Sequence, residues 1–115
     1  MTEAELEFTF EFHSDVPDLR TEFEDELRAE AHQALSALAE GHTDLIGASV
    51  VLEQPARAES AFLHQARVVA YGRPDPVAAV EKDESLEQAL RGALDAVERQ
   101  VRERRAKLAE RWKQP

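Results

Sequence analysis

Positive charge is concentrated near the C-terminal end of this 115-residue chain. Between Arg99 and Lys113, seven basic side chains stand against two acidic ones, which gives the segment a net charge of +5. Guanidinium and ammonium groups bind phosphate oxygens, and they also stabilise the C-terminal end of a helix by about 0.3–1 kcal/mol each. Seven cations in fifteen residues exceed what a helix end requires. The segment therefore indicates a surface that faces a partner or solvent.

The rest of the chain carries the opposite charge. Residues 1–66 contain three basic and fifteen acidic side chains, whereas residues 67–115 contain eleven basic and nine acidic ones. The formal net charge of −10 thus averages over a strongly acidic first half and a second half with a net charge of +2. A bipolar protein of this kind is able to present its basic end to phosphate groups.

No catalytic or metal-binding pattern accompanies this charge. The four histidines lie in different predicted elements, without the paired spacing of a zinc site: His13, His32, His42 and His64. Scattered glycines do not form a phosphate-binding loop, and no serine has the context of a nucleophile elbow. We therefore expect no catalytic residue, no metal site and no cofactor, in a protein that is not an enzyme.

A single long helix is predicted to carry the basic segment. Ser85 and Gln88 have the spacing of a capping box, in which each side chain bonds the other's backbone amide. After this start, one apolar stripe repeats at steps of three, four and seven residues, with no proline before Pro115. Its members are Leu86, Leu90, Leu94, Val97, Val101, Leu108 and Trp112.

The predicted length of this helix carries its last part beyond a core. About 28 residues that rise by about 1.5 Å each form a rod of roughly 42 Å. A compact domain of this size has a radius of gyration of about 13 Å. We therefore predict that residues 99–115, called the basic end below, project from a single domain formed by residues 1–115.

Two amphipathic segments open the chain. Residues 5–12 alternate strictly between apolar and polar side chains, which predicts a half-buried strand with its phenylalanines on the inner face. Residues 13–17 are predicted to turn, with Pro17 as the first helical residue. An apolar stripe with helical spacing then continues to Leu38, and Gly41 is a typical residue after a helix end.

The remaining segments complete an α+β fold with the order β-α-β-β-β-α. Strands are predicted at residues 45–53, 61–71 and 77–81, with a proline-containing hairpin before the last. The strand at 45–53 should direct four side chains inward: Ile46, Ala48, Val50 and Leu52. Strands joined by a helix should be parallel, and the other neighbours antiparallel. The prediction is a four-stranded mixed sheet with two helices packed on one face and a long C-terminal helix.

Composition restricts the cellular setting. The chain has no cysteine, its first residues are acidic rather than basic, and no apolar run approaches the about 18 residues of a membrane span. These features predict a soluble cytoplasmic protein that has no membrane partner.

Specific residues in the second half resemble a known family. They are Ala66-Arg67-Val68-Val69-Ala70-Tyr71-Gly72, Ser85-Leu86-Glu87-Gln88-Ala89-Leu90 and Asp95-Ala96-Val97-Glu98-Arg99-Gln100-Val101, followed by Arg104, Arg105 and Lys107. In this order they resemble the ribosome hibernation factors, also called ribosomal subunit interface or sigma-54 modulation proteins. The similarity covers nearly the whole chain in its order of elements and is specific from about Ala66 to Leu108.

The resemblance implies a domain that binds the small ribosomal subunit near the decoding site, contacts its ribosomal RNA and represses translation by occupancy. The positions that it assigns to RNA contact are Arg99, Arg104, Arg105 and Lys107, and Arg102 is added on charge grounds. Each would contact phosphate rather than read sequence.

A second interpretation stays open. In it, the chain is a protein-interaction module of the same fold that has lost RNA contact. Such a module would act through its acidic face or as a homodimer, and the basic end would be a solvated helix end whose cations suit the dipole.

Overall fold

The computed structural model describes residues 8–54 and 63–113, with side chains up to residue 110. The described elements follow the predicted order, β-α-β-β-β-α. They are β1 (Thr9–Asp15), α1 (Thr21–Ala39), β2 (Leu45–Glu53), β3 (His64–Gly72), β4 (Val77–Asp83) and α2 (Leu86–Lys113).

The strands form one mixed sheet with the order β1-β2-β3-β4. β1 and β2 are parallel, because α1 connects them as a crossover, while β2, β3 and β4 are antiparallel neighbours. Both predicted relations are confirmed.

Both helices pack on the same face of this sheet and enclose one hydrophobic core. Inward side chains alternate along the central strands, and the apolar stripe of each helix lies against them. The largest fully buried side chains come from all these elements: Leu27, Leu35, Val50, Leu52, Val68, Leu90, Val97 and Val101. The predicted fold class is confirmed, and neither of the two described helices lies on the other face of the sheet.

β1 lies further along the chain than predicted. It spans Thr9–Asp15, so residues 13–15 belong to the strand and not to a turn. The reason is the parallel register, which pairs β1 with β2 as far as Asp15 opposite Glu53. The first part of the predicted strand, residues 5–7, lies outside the described residues.

The start of α1 also differs from the prediction. Pro17 is not the first helical residue, since the helix begins at Thr21 after Arg20 in an extended conformation. Asp18 has a φ of 61°, a left-handed conformation that a helix interior does not contain. At the other end, the prediction for Gly41 is confirmed, because it follows the helix with a φ of 77°.

β2 has the predicted bounds, but one of the four side chains predicted to face the core is exposed. Ile46 is 57% exposed, while Leu45 is buried. A register shift between Leu45 and Gly47 interrupts the period-two alternation here, and Ile46 is exposed beside the C-terminal end of α1. From Ala48 onwards the predicted inner residues are buried.

β3 and β4 each extend further towards the C-terminus than predicted, and β4 begins at Val77 as predicted. β3 begins at His64 and ends at Gly72, and the predicted start at Ala61 lies outside the described residues. β4 continues to Asp83, because Lys82 and Asp83 still pair with the first residues of β3.

α2 begins with one half of the predicted capping box, because the backbone amide of Ser85 donates to Oδ1 of Asp83 at 2.9 Å and not to the side chain of Gln88. The backbone amide of Gln88 donates a hydrogen bond of 3.2 Å to Oγ of Ser85. The apolar stripe is buried from Leu86 to Val101, but Leu108 is 38% exposed. The stripe therefore leaves the core after Val101, and the side chain of Trp112 lies outside the described residues.

Gly72 and Gly92 form a matched pair for a stability test. A Cβ on Gly72 would overlap the backbone oxygen of Asp44, whereas a Cβ on Gly92 would meet the flexible side chain of Glu81 at 3.3 Å. We expect Gly72→Ala to lower the free energy of unfolding by about 1–3 kcal/mol. Gly92→Ala, in a helix interior, should leave it unchanged or raise it by up to about 1 kcal/mol. Urea denaturation measures both, and equal midpoints for wild type and Gly72→Ala would contradict the close approach.

Candidate nucleic-acid interface

Two contacts place the second half of α2 over one end of the sheet. Nε2 of Gln100 donates a hydrogen bond to the backbone oxygen of Ala78, near the start of β4, at 3.2 Å. Nη1 of Arg104 donates one to the backbone oxygen of Asp75, in the β3–β4 hairpin, at 2.6 Å. The basic end therefore begins beside this hairpin.

The five predicted RNA-contacting residues do not share one helix face. Arg104 and Arg105 follow the last buried residue, Val101, by three and four positions, so they continue the side of α2 that faces the protein. Both are half-buried. The other three cations are exposed: Arg99, Arg102 and Lys107.

Arg105 binds Asp44 through two parallel hydrogen bonds. Its Nε donates to Oδ2 and its Nη2 to Oδ1, both at 2.8 Å, and the side chains are only 17% and 21% exposed. Nη2 also donates to the backbone oxygen of Leu38 at 2.9 Å. Leu38 lies in the last turn of α1, which has no basic residue of its own. Arg105 therefore supplies the cation that this helix end lacks.

The groups around Asp44 shift the pKa of its carboxyl. The hydrogen bonds from Arg105 lower the pKa of the Asp44 carboxyl, and the positive charges of Arg105 and His42 act in the same direction. Partial burial opposes this effect, but the pKa stays below its ordinary value. Asp44 is thus held as a carboxylate beside the basic end.

Arg104 is positioned by the hairpin rather than by a carboxylate. Besides its bond to Asp75, its Nε and Nη2 are buried and have no hydrogen-bond partner among the described residues. Because both donor atoms are buried, an external acceptor would reach them only if the Arg104 side chain moved.

The exposed cations differ in their partners. Arg102 donates to Glu98 one turn earlier at 2.8 Å, a pair that is largely open to solvent. Arg99 and Lys107 form no ion pair within the part of the chain that the structure describes. Arg73, exposed in the hairpin, adds a cation at this end that the sequence interpretation missed. The order of residues alone did not show that the hairpin lies beside α2.

The acidic helix α1 lies against the other half of α2. Arg91 binds Glu30 of α1 at 2.7 Å and Glu87 of its own helix at 2.8 Å. The hydrogen bond and charge of Glu30 raise the pKa of Arg91, with a smaller effect from Glu87. Within α1, Arg28 binds two of the neighbouring acidic side chains. Much of the acidic charge therefore lies away from the basic end.

Within residues 8–54 and 63–113, no three or more histidine, aspartate or glutamate side chains lie where they would hold a metal ion. Neither helix in this part of the chain has the length and apolar character needed to cross a membrane.

The Asp44–Arg105 pair makes stability depend on pH. A lowered folded-state pKa stabilises the protein above the unfolded-state value of about 3.9, and the contribution disappears as the pH falls through the folded-state pKa. We expect Asp44→Asn to lower the free energy of unfolding by about 2 kcal/mol at pH 7, and by much less at acid pH, where wild-type Asp44 is protonated as well. Urea denaturation across this range measures the difference.

The control is the exposed pair of Arg102 and Glu98. Arg102→Gln should change the free energy of unfolding by less than about 1 kcal/mol at pH 7. A penalty for Asp44→Asn that stays constant down to acid pH would show that charge on Asp44 is not its source.

The fold is found in solved structures. A ribosomal subunit interface protein from Coxiella burnetii superposes with a TM-score of 0.65 at 8% identity, covering 85% of this chain and 98% of that one. The N-terminal domain of Thermus thermophilus Protein Y superposes with a TM-score of 0.60 at 20% identity, covering 83% and 96%. At these identities the similarity shows the fold alone.

Sequence comparison identifies the family. No curated protein matches this sequence. The family model described as sigma 54 modulation protein / S30EA ribosomal protein matches residues 19–109, most of the chain. The match includes β3, the start of α2 and the cations from Arg99 to Lys107, which are the segments that carry the resemblance. The chain therefore belongs to the sigma 54 modulation protein / S30EA ribosomal protein family.

Proposed function

We propose that this protein binds the small ribosomal subunit near the decoding site, contacts ribosomal RNA through its basic end, and represses translation by occupying the site. The observation that carries the proposal is the set of exposed cations at one end of an otherwise acidic molecule. Family membership and the fold shared with a ribosomal subunit interface protein support it.

The proportions of the molecule support a projecting basic end. The strands have seven to nine residues, and at about 3.3 Å per residue they span roughly 23–30 Å. The 28 residues of α2 span about 42 Å. The longest extent of the protein is 55 Å, against 34 and 16 Å in the other directions. We infer that residues 99–115 reach a partner that the core does not touch.

The five cations have different roles in this proposal. Arg99, Arg102 and Lys107 contact phosphates directly, since they are exposed. Arg104 contributes positive charge beside the hairpin, since its two unsatisfied donors are buried. Arg105 holds α2 against Asp44, and only its remaining Nη1 is available to a phosphate.

Recognition of this type depends on shape and charge rather than on sequence. Arginine and lysine contacts to phosphate position a protein on RNA without reading bases. A-form RNA presents phosphates and 2′-hydroxyl groups to such a surface. The protein would act by binding in the cytoplasm, where ribosomes are located, and without catalysis.

The second candidate function is a protein-interaction module that has lost RNA contact. Two observations favour it: the acidic face of α1 and the sheet face that neither α1 nor α2 covers. In that case the protein would meet a basic partner or a second copy of itself.

A matched pair of charge reversals tests the RNA contact. Lys107→Glu changes an exposed cation of the basic end, and Arg20→Glu makes the same change at the opposite end of the molecule. We expect Lys107→Glu to weaken co-sedimentation with isolated small subunits several-fold, while Arg20→Glu has no effect. Neither variant should alter the thermal unfolding curve. Equal co-sedimentation of both variants would contradict the assignment.

Salt dependence counts the phosphate contacts. Five contacts should make log affinity fall with log salt concentration at a slope of about −3.5 to −4.5. The double variant Arg99→Glu/Lys107→Glu should reduce the steepness by about 1.4–1.8, because it removes two contacts. Binding isotherms with small subunits at several potassium concentrations measure this slope. A slope near zero would favour the protein-interaction module.

A further inference from the structure

The outer edge of β1 is unpaired. β1 lies at one end of the strand order, and within residues 8–54 and 63–113 only β2 pairs with it. Natural edge strands are usually protected by a proline, a lysine, a bulge or a charged side chain that points inward. Thr9–Asp15 contains no proline or lysine, its register against β2 is unbroken, and its inward positions carry Phe10, Phe12 and Ser14. This edge is therefore open to a further strand.

The opposite edge, β4, has the protection that β1 lacks. Glu81 occupies an inward position of β4, and its side chain lies beside Gly92 of α2. Lys82 is exposed on the same strand, and Gln100 of α2 bonds the backbone oxygen of Ala78 at 3.2 Å. An inward charge and an edge lysine both hinder the addition of a strand. Of the two edges of the sheet, β1 is the one suited to pairing.

The edge of β1 also leaves aromatic surface uncovered. The inner side chains of β2 and β3 are almost completely buried from Ala48 onwards, whereas Phe10 and Phe12 are half-buried. Two side chains of α1 lie over them from one side: the guanidinium of Arg28 is 5.0 Å from the Phe12 ring, and the His32 ring is 5.0 Å from that of Phe10. A strand placed beside β1 would cover ring surface that solvent now contacts.

The sequence of β1 is complementary to itself in the antiparallel direction. When all seven residues pair with the same seven of a second copy, Phe12 lies opposite Phe12, and Glu11 lies opposite His13 twice. Glu11 and His13 are exposed on the same face of the strand. A shift by two residues would place Glu11 opposite Glu11 in one direction and opposite Asp15 in the other. Like charges directly opposite each other are destabilising, so they select the full pairing.

We propose that two copies of this chain associate through β1, strand beside strand, about a two-fold axis perpendicular to the sheet. The two four-stranded sheets become one sheet of eight strands. Backbone hydrogen bonds, about six to eight of them, join the two β1 strands. The two Phe12 rings meet at the axis, and the Glu11–His13 pairs flank them on the other face. This association goes beyond the ribosome contact proposed above.

The charges of α1 permit this approach. Arg28 and His32 mark the side of α1 that lies towards β1, and helical spacing adds Asp25 to this side. Arg28 is paired with Asp25 at 2.8 Å and with Glu24 at 3.2 Å, so its surroundings are nearly neutral. Glu30 lies on the other side, where it is bound to α2. The net charge of −10 on each copy acts from further away and is screened at physiological salt.

The length of β1 predicts a weak dimer. Its seven residues extend over roughly 23 Å at about 3.3 Å each. The protein measures 16 Å in its thinnest direction, so the contact covers roughly 370 Å² per copy. This area is below that of stable specific interfaces, and the backbone hydrogen bonds add to it. We expect a dissociation constant between about 10 and several hundred micromolar.

The dimer leaves both basic ends uncovered. α2 lies on the β4 side of the sheet, where Gln100 and Arg104 bond to β4 and to its hairpin. β1 is the opposite edge. The two-fold axis therefore places the two basic ends far from the contact, at opposite ends of the eight-stranded sheet. Self-association and ribosome contact use separate surfaces, so that either proposal can fail without the other.

Sedimentation equilibrium of the full chain at physiological salt tests the association. Wild type should show a monomer–dimer equilibrium between micromolar and millimolar concentrations. His13→Glu places a carboxylate opposite Glu11 twice in each dimer and should weaken association about three- to tenfold. Gln88→Glu, the same change of charge at the exposed start of α2, is the control and should change the dissociation constant less than about twofold. A wild type that is monomeric throughout, or a dimer that His13→Glu leaves intact, would overturn the proposal.

Rescue and cross-linking test the register. Glu11→Lys/His13→Glu pairs a lysine with a glutamate and should restore association. The chain has no cysteine of its own, so a mixture of Glu11→Cys and His13→Cys should form a disulfide-linked dimer with one copy of each. Directly opposite Cα atoms, about 4.5–5.5 Å apart, permit this bond.

Two results would contradict this arrangement. If each cysteine variant cross-links with itself as readily as with the other, the register is wrong. If the protein is monomeric and His13→Glu weakens its co-sedimentation with small subunits, the edge of β1 contacts the ribosome and not a second copy.

Discussion

The ion pair between Arg105 and Asp44 decides where the basic end of this protein lies. α2 is longer than the sheet on which it packs, and its apolar stripe is buried only as far as Val101. One guanidinium beyond that point holds the Asp44 carboxylate and the Leu38 backbone oxygen. The backbone oxygen of Asp44 in turn accepts the amide of Arg73 at 2.8 Å. Arg105 and Asp44 together thus join α2, the end of α1 and the β3–β4 hairpin.

Within fifteen residues of the chain, some cations bind the protein itself and others remain available to a partner. Arg105 is committed to the protein, because a bidentate pair with little solvent exposure is costly to break. Arg99 and Lys107 have no ion-pair partner among the described residues and remain available to an external anion. The acidic side chains of α1 interact with Arg28 and Arg91 instead. The local field at the basic end therefore differs in sign from the net charge.

Local patterns predicted most of the fold. The order of elements, the parallel and antiparallel pairs, the bounds of β2 and the Ser85 cap depend on periodicity and nearby residues, and all agree with the structure. The errors arose where long-range pairing overrides the local pattern. Parallel register extends β1 into the predicted turn, and a shift against β3 interrupts the alternation at Ile46, which is exposed.

The sequence by itself determined that a long helix ends in a cluster of cations, because spacing and charge are properties of neighbouring residues. It also contained enough residues typical of the ribosome hibernation factors to show the resemblance to that family. Only the tertiary structure decided which cations are free. Asp44 lies 61 residues before Arg105, and no periodicity connects two positions that far apart. The chain brings them together because the core packs α2 across the sheet, and the distribution of charge at its end follows from that packing.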